Sequence, residues 1–198
     1  MGGHIRKAMG FTEEFWNRVY KPLLQYDSIS FQTILMRPYS RGYIKLRSKN
    51  PLEAPIINPR YLTDERDVHT MVDAMKFCIK LGFTPAYQKF HAKIYETVYP
   101  GCEQYMPLYS DEYLACMART YTQTVYHPAG TCKMGQAMDP TTVVDPELRV
   151  KGVYGLRVVD ASVMPLISTG NTNAAIIAIA ERAADLMKGT VRKPYRPP

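Results

Sequence analysis

The run Ala174–Ala180 contains no polar side chain, and it follows directly on Gly170-Asn-Thr-Asn173. Its seven residues fall far short of a bilayer span. It is also apolar around its whole circumference, whereas a surface helix confines its apolar residues to one stripe. The run therefore predicts a helix from Asn171 onward, buried among other elements. Small side chains in its first turn leave the free N–H groups open to an approaching ligand. The positive end of the helix dipole favours negative charge at the same place. Asn171 and Asn173 are equally ordinary N-cap residues, and taken singly either role accounts for them.

Upstream, three further helices are predicted. Thr12 can N-cap the first, with Phe11 stapled against Trp16 and with Phe15, Val19 and Leu23 near helical spacing. Val68, Met71, Val72, Met75 and Ile79 form one stripe of a second helix that starts near Asp64 and stops near Gly82. Ser110 caps a third, which carries Leu114, Met117, Ala118 and Tyr121. A shorter helical piece is expected around Tyr87–Lys93. Between the first two helices, Ile29–Met36 is β-rich, and Tyr43-Ile-Lys-Leu-Arg47 alternates apolar and basic residues. These two runs read as an antiparallel hairpin with one packed face, and residues 51–59 as an irregular connection. Leu156–Val159 reads as a short strand. Composition shifts towards small residues and short turns after Tyr126, which places a module boundary near 122–126.

With 46% apolar and 22% charged residues, the 198-residue chain fits a folded protein with a real core. The net charge of +7 is scattered rather than gathered into a stripe interleaved with aromatics, so no nucleic-acid partner is expected. Met1–Lys7 lacks the apolar stretch of a signal peptide, no run is long enough to span a membrane, and the compartment stays open, a secreted one included. The basic, Pro-rich tail 191–198 is expected to fray. None of the four cysteines forms a CxxC pair, which argues against a metal site. Cys102 and Cys116 could close a short loop by a disulfide, or all four could be reduced thiols. Both readings stand.

Two further stretches carry candidate chemistry. In His127-Pro-Ala-Gly-Thr-Cys-Lys-Met-Gly135 the imidazole is held between a Tyr and a Pro-x-Gly turn. Such a side chain suits a proton acceptor, although a core His bonded to a backbone carbonyl is the commoner case. His4, His69 and His91 lie in ordinary helical or terminal contexts. In Gly155-Leu-Arg-Val-Val-Asp-Ala-Ser-Val-Met-Pro165 a strand ends in Asp160, where a dinucleotide fold can present a carboxylate to its cofactor. A carboxylate that merely caps the next turn would look the same.

Order, spacing and identity together make the run from His127 to Lys188 closely resemble the C-terminal signature of glucose–methanol–choline oxidoreductases. Arg41-Gly-Tyr-Ile-Lys-Leu-Arg-Ser48 and Pro55-Ile-Ile-Asn-Pro-Arg-Tyr61 are similar to that family's substrate-domain sheet. The look is closest to insect glucose-dehydrogenase-like and choline-dehydrogenase-like members. The resemblance implies an α+β fold: a partial substrate domain over 1–125 with an antiparallel sheet and flanking helices, and a strand–helix segment over 126–190. That segment would complete a Rossmann-like FAD-binding domain. It further implies FAD as cofactor, a small alcohol or sugar as substrate, and oxidation of its CH–OH group. His127 falls on the family's catalytic base, and Asn171 falls where some members have a second His. Asp160 and Ala161 fall near the ribityl and pyrophosphate groups, and Asn171, Thr172 and Asn173 at the helix start against the isoalloxazine ring. Ala129 is smaller than the aliphatic residue often found there.

The family's GxGxxG turn is missing from these 198 residues. The chain thus resembles the last third of a member and is expected to hold FAD weakly by itself. A folded remnant without activity and a cyanohydrin lyase of the same family are the alternative readings.

Overall fold

The computed structural model describes residues 6, 7 and 9–190; the expectations for the first residues and for the tail 191–198 lie outside them. The chain divides into two compact units, Met1–Gly42 with Asn58–Gln123, and Tyr43–Ile57 with Thr124–Pro198. Residues 43–57 thus group with the second unit.

In the first unit Thr12 caps α1 (Glu13–Phe15) by accepting the Phe15 N–H at 3.1 Å. The chain continues as a π turn over Trp16–Tyr20 and a 3₁₀ turn over Lys21–Gln25. Pro22 has no N–H for the carbonyl one turn back, which breaks the α ladder there. Phe11 meets Phe15 at 4.8 Å between centroids and Tyr20 at 5.2 Å, in place of the expected Trp16. The reason is that Phe15 is drawn inward, where it stacks on Tyr121 at 4.2 Å and tilts against Tyr99 at 5.5 Å.

The core of this unit is the pairing of α2 (Glu65–Gly82), capped by Asp64, with α4 (Asp111–Tyr121), capped by Ser110 as the sequence predicts. Val68 and Val72 of α2 bury against Leu114 and Ala118 of α4, with Met71, Met75, Ile79 and Met117 at the margin. Each fully buried Val or Leu contributes roughly 1.5–3 kcal/mol. The guanidinium of Arg119 ties the pair at one end, donating to the Leu62 carbonyl at 2.7 Å and to the Glu65 carboxylate at 2.6 Å. Between them α3 is a single turn, Pro85–Gln88, shorter than and upstream of the expected piece.

The expected hairpin of Ile29–Met36 with Tyr43–Arg47 does not form. Instead β1 (Tyr43–Lys45) pairs with β2 (Ile56–Asn58), and residues 27–35 run without a strand partner among the described residues. Two local causes redirect the chain. The buried carboxylate of Asp67 accepts the N–H groups of Tyr39 and Ser40, both at 2.8 Å, and pins that loop to the first turn of α2. A turn at residues 48–53, closed by the Glu53 N–H on the Asn50 carbonyl, then returns the chain alongside β1. The predicted packed face is also absent, since Ile44 is 51% and Leu46 85% exposed.

Burial alone would raise the Asp67 pKa, but the hydrogen bonds from Ser40 and Tyr39 outweigh it and hold the carboxyl below its ordinary value. A folded-state pKa below the unfolded value of about 3.9 gives stability that is present above that pH and lost as pH falls through the lower folded value. Asp67→Asn is therefore expected to cost roughly 1–3 kcal/mol in urea unfolding at neutral pH and to flatten the acid limb of the stability curve. An unchanged acid limb would remove Asp67 as its source.

The second unit has a smaller core of Val144, Leu148, Val163 and Ala183. Its long helix, α5 (Asn173–Lys188), begins two residues after the predicted start and ends on Gly189 in the left-handed conformation, φ 68°. The expected burial around its circumference is not observed. Ala183 is enclosed and Ile179 packs at the margin, while Ile177 is 54% and Met187 59% exposed. The unit offers α5 one apolar face, and its other flanks meet no partner among the described residues. The predicted strand Leu156–Val159 is reduced to an isolated bridge between Arg149 and Arg157, with bonds from the Val158 N–H to the Leu148 carbonyl and from the Val150 N–H to the Leu156 carbonyl.

Candidate functional site

The second unit brings two of the three candidate stretches together through their backbones. The N–H groups of Gly130, Cys132 and Met134 donate to the carbonyls of Ala161, Ser162 and Val163 at 3.2, 2.9 and 2.8 Å. This ladder lays the His127 run alongside the turn that follows Asp160. Two residues with positive φ bracket the imidazole, Tyr126 at 61° and Gly130 at 85°. At Gly130 the backbone conformation disfavours a side chain, and a Cβ would stand 3.3 Å from the Met164 carbonyl oxygen. His127 is half-buried, and among the described residues its ring makes no hydrogen bond. The commoner arrangement, a core His satisfied by a carbonyl, is therefore not what the chain adopts.

Asp160 stands at the head of a single 3₁₀ turn, Ala161–Val163, and one of its oxygens, Oδ1, accepts the Ser162 N–H at 2.7 Å. The Ser162 hydroxyl donates to the same oxygen. Capping is thus the role seen for Oδ1, and Oδ2 has no partner among the described residues.

The third stretch enters α5 through Gly170, φ 118°. Asn171 and Asn173 are exposed, Thr172 is buried, and no side chain caps the first turn. The uncapped N–H groups and the Asn171 amide are therefore free to donate outward. Val163 shares its core cluster with Ala183 and Ile179 of α5, so the turn after Asp160 and this helix pack on common ground.

Lys151 was not singled out by the sequence reading. Its ammonium donates to the carbonyls of Gln136 at 2.7 Å and Asp139 at 2.8 Å, and to the Thr142 hydroxyl. It folds the loop that follows the His127 run around one positive charge. A lone lysine in a turn-rich stretch has no periodicity to give it away. Gly135 belongs to the same loop, where a Cβ would come within 2.5 Å of Thr142 Cγ2. Among the described residues there is no cluster of three potential metal ligands, and no helix is long and apolar enough to cross a membrane.

The sequence that builds this site matches a class of oxidoreductases. The family model described as GMC oxidoreductase matches residues 38–180, and the chain belongs to that family. A glucose dehydrogenase [FAD, quinone] of Drosophila pseudoobscura pseudoobscura is 48% identical over 154 residues, covering 78% of this chain and 24% of the relative. The mitochondrial choline dehydrogenase of Homo sapiens is 44% identical, covering 78% of the chain and 25% of the relative. Among solved structures, the pyridoxine 4-oxidase from Mesorbium loti superposes with a TM-score of 0.64 at 32% identity, over 79% of this chain and 29% of that one. A variant formate oxidase of Aspergillus oryzae gives 0.67 at 32% identity over 78% of this chain and 26% of that one. The chain spans about a quarter of the length of the curated relatives it matches.

Proposed function

We propose that this chain is the part of an FAD-dependent oxidoreductase of alcohols or sugars that carries the proton-accepting side of the reaction. The observation that carries the reading is the half-buried, unpaired imidazole of His127, held by the backbone ladder beside the Asp160 turn. The names of the relatives, a glucose dehydrogenase and a choline dehydrogenase, support a CH–OH donor.

The residues present fit one end of the cofactor. Oδ2 of Asp160 is an open acceptor suited to a ribityl hydroxyl, with Ala161 beside it in the same turn. The uncapped start of α5, with Asn171, Thr172 and Asn173, supplies donors and a positive dipole end suited to the pyrimidine edge of the ring. The pyrophosphate would need the Gly-rich turn that this sequence lacks. In the same reading residues 1–125 form part of a substrate domain and residues 126–190 complete a cofactor domain whose Gly-rich part is not in this sequence. When bound, FAD supplies the hydride acceptor.

His127 accepts the substrate hydroxyl proton on a ring nitrogen as the C–H bond breaks. Asn171 donates an amide N–H to the same oxygen and holds the charge that develops there. Because the ladder from Gly130, Cys132 and Met134 fastens the backbone that follows the imidazole, the ring needs little reorganisation to meet the proton.

The test is anaerobic mixing of the complete protein, loaded with FAD, with alcohols and sugars. Loss of the oxidised flavin absorbance is expected. A flavin that stays oxidised while a cyanohydrin is cleaved would replace the redox reading with the lyase one, and no bound flavin at all would point to a folded remnant.

A further inference from the structure

The first unit contains a covalent link that the proposed reaction does not use. Cys102 and Cys116, 14 positions apart in sequence, are joined by a disulfide with their Cα atoms 5.8 Å apart. Cys78 and Cys132 are free thiols. Cys102 is fully enclosed, whereas Cys116 lies on the partly exposed face of α4.

The link sits where the loop 97–107 needs an anchor. That loop has only a 3₁₀ turn, Glu103–Tyr105, as regular structure. Its other ties are scattered hydrogen bonds: the Tyr113 hydroxyl accepts the Tyr99 N–H at 2.8 Å and donates to the Thr97 carbonyl at 3.4 Å, the Tyr121 hydroxyl donates to the Pro100 carbonyl at 2.6 Å, Ser110 donates its hydroxyl to the Tyr105 carbonyl at 3.1 Å and its N–H to the Pro107 carbonyl at 3.2 Å, and Arg18 pairs with Glu103 at 2.9 Å on the exposed side. An exposed ion pair of this kind holds little. Through Tyr99 the loop supplies one wall of the aromatic cluster around Phe15. The disulfide therefore fastens to α4 the segment on which the Thr12-capped helix leans.

We propose that Cys102–Cys116 is a permanent staple formed during maturation in an oxidising compartment, and that Cys78 and Cys132 stay reduced there. In its formation the two thiols of Cys102 and Cys116 give up two electrons and two protons to an acceptor protein disulfide. That acceptor becomes a dithiol, so one S–S bond forms as another breaks. Burial shields the Cys102 sulfur from attacking thiolates, and a reducing cytosol would leave the pair open from the start.

A peptide map tests this directly. No Lys or Arg lies between Ile94 and Ala118, so trypsin releases both cysteines in the single peptide Ile94–Arg119. In protein taken from its source cells with thiols blocked at lysis, this peptide is expected to be unalkylated and two hydrogens lighter than its reduced form. Peptides holding Cys78 and Cys132 are expected to be alkylated. Alkylation at both Cys102 and Cys116 would overturn the proposal. As a second reading, full reduction of the wild type should lower its melting temperature by about 6–12 °C, from the loop-closure scale and the size scaling of thermal unfolding. Cys102→Ser/Cys116→Ser should melt at that lower temperature whether or not reductant is present. A wild type whose melting is untouched by full reduction would also refute the staple. Neither measurement involves flavin, so failure here leaves the redox reading standing.

Discussion

In the complete, FAD-loaded protein, His127→Ala is expected to slow flavin reduction by an alcohol about 10²- to 10⁴-fold, the usual scale for losing a positioned general base. The argument for so large an effect is geometric. The imidazole is half-buried, has no hydrogen-bond partner among the described residues, and sits between two positive-φ residues. A side chain held in this way contributes little to folding, so its removal should leave melting nearly unchanged while the chemical step falls. The bonds that carry this segment are main-chain, from Gly130, Cys132 and Met134, and the substitution does not touch them. Stopped-flow absorbance at saturating substrate reads the step itself and separates it from binding. An unaltered rate would take proton acceptance away from His127.

Gly42→Ala is expected to produce the largest loss of stability of any single methyl addition considered. A Cβ there would lie 2.3 Å from the Asn58 carbonyl oxygen and 2.5 Å from the Pro59 Cα. Both are backbone atoms, and neither can swing aside as a long side chain would. Overpacking against side chains commonly costs about 1–3 kcal/mol, so a clash with main chain should reach or pass roughly 3 kcal/mol. Against a total stability of about 5–15 kcal/mol, that is enough to lower the urea midpoint clearly. A midpoint within error of wild type would show that the 58–59 segment yields freely.

The paired helices of the first unit, α2 and α4, were legible because each had a polar start signal and a stripe. Asp64 and Ser110 mark their starts, and Val68, Val72, Leu114 and Ala118 repeat at the spacing that buries them. The hairpin was misread because alternation in Tyr43–Arg47 says nothing about which strand lies opposite. That choice fell to the Asp67 carboxylate, 28 and 27 residues beyond the Tyr39 and Ser40 N–H groups it accepts, and to the turn at 48–53. The burial of α5 was misread for a different reason. An all-apolar circumference reports what a helix needs, and the second unit supplies only the face around Ala183. The sequence motifs named His127, Asp160 and Asn171, but the register joining the first two is a set of N–H and C=O groups common to every residue type. No composition or periodicity could reveal it. Lys151 was invisible on similar grounds, since the oxygens it gathers are mostly carbonyls.

That register also separates what selection must keep from what it can discard. Because amides fasten the run at 130, 132 and 134, the side chains in between take no part in the attachment. Thr131 faces solvent and Lys133 lies half-open, so both can drift through evolution, or be altered by design, while the imidazole keeps its station.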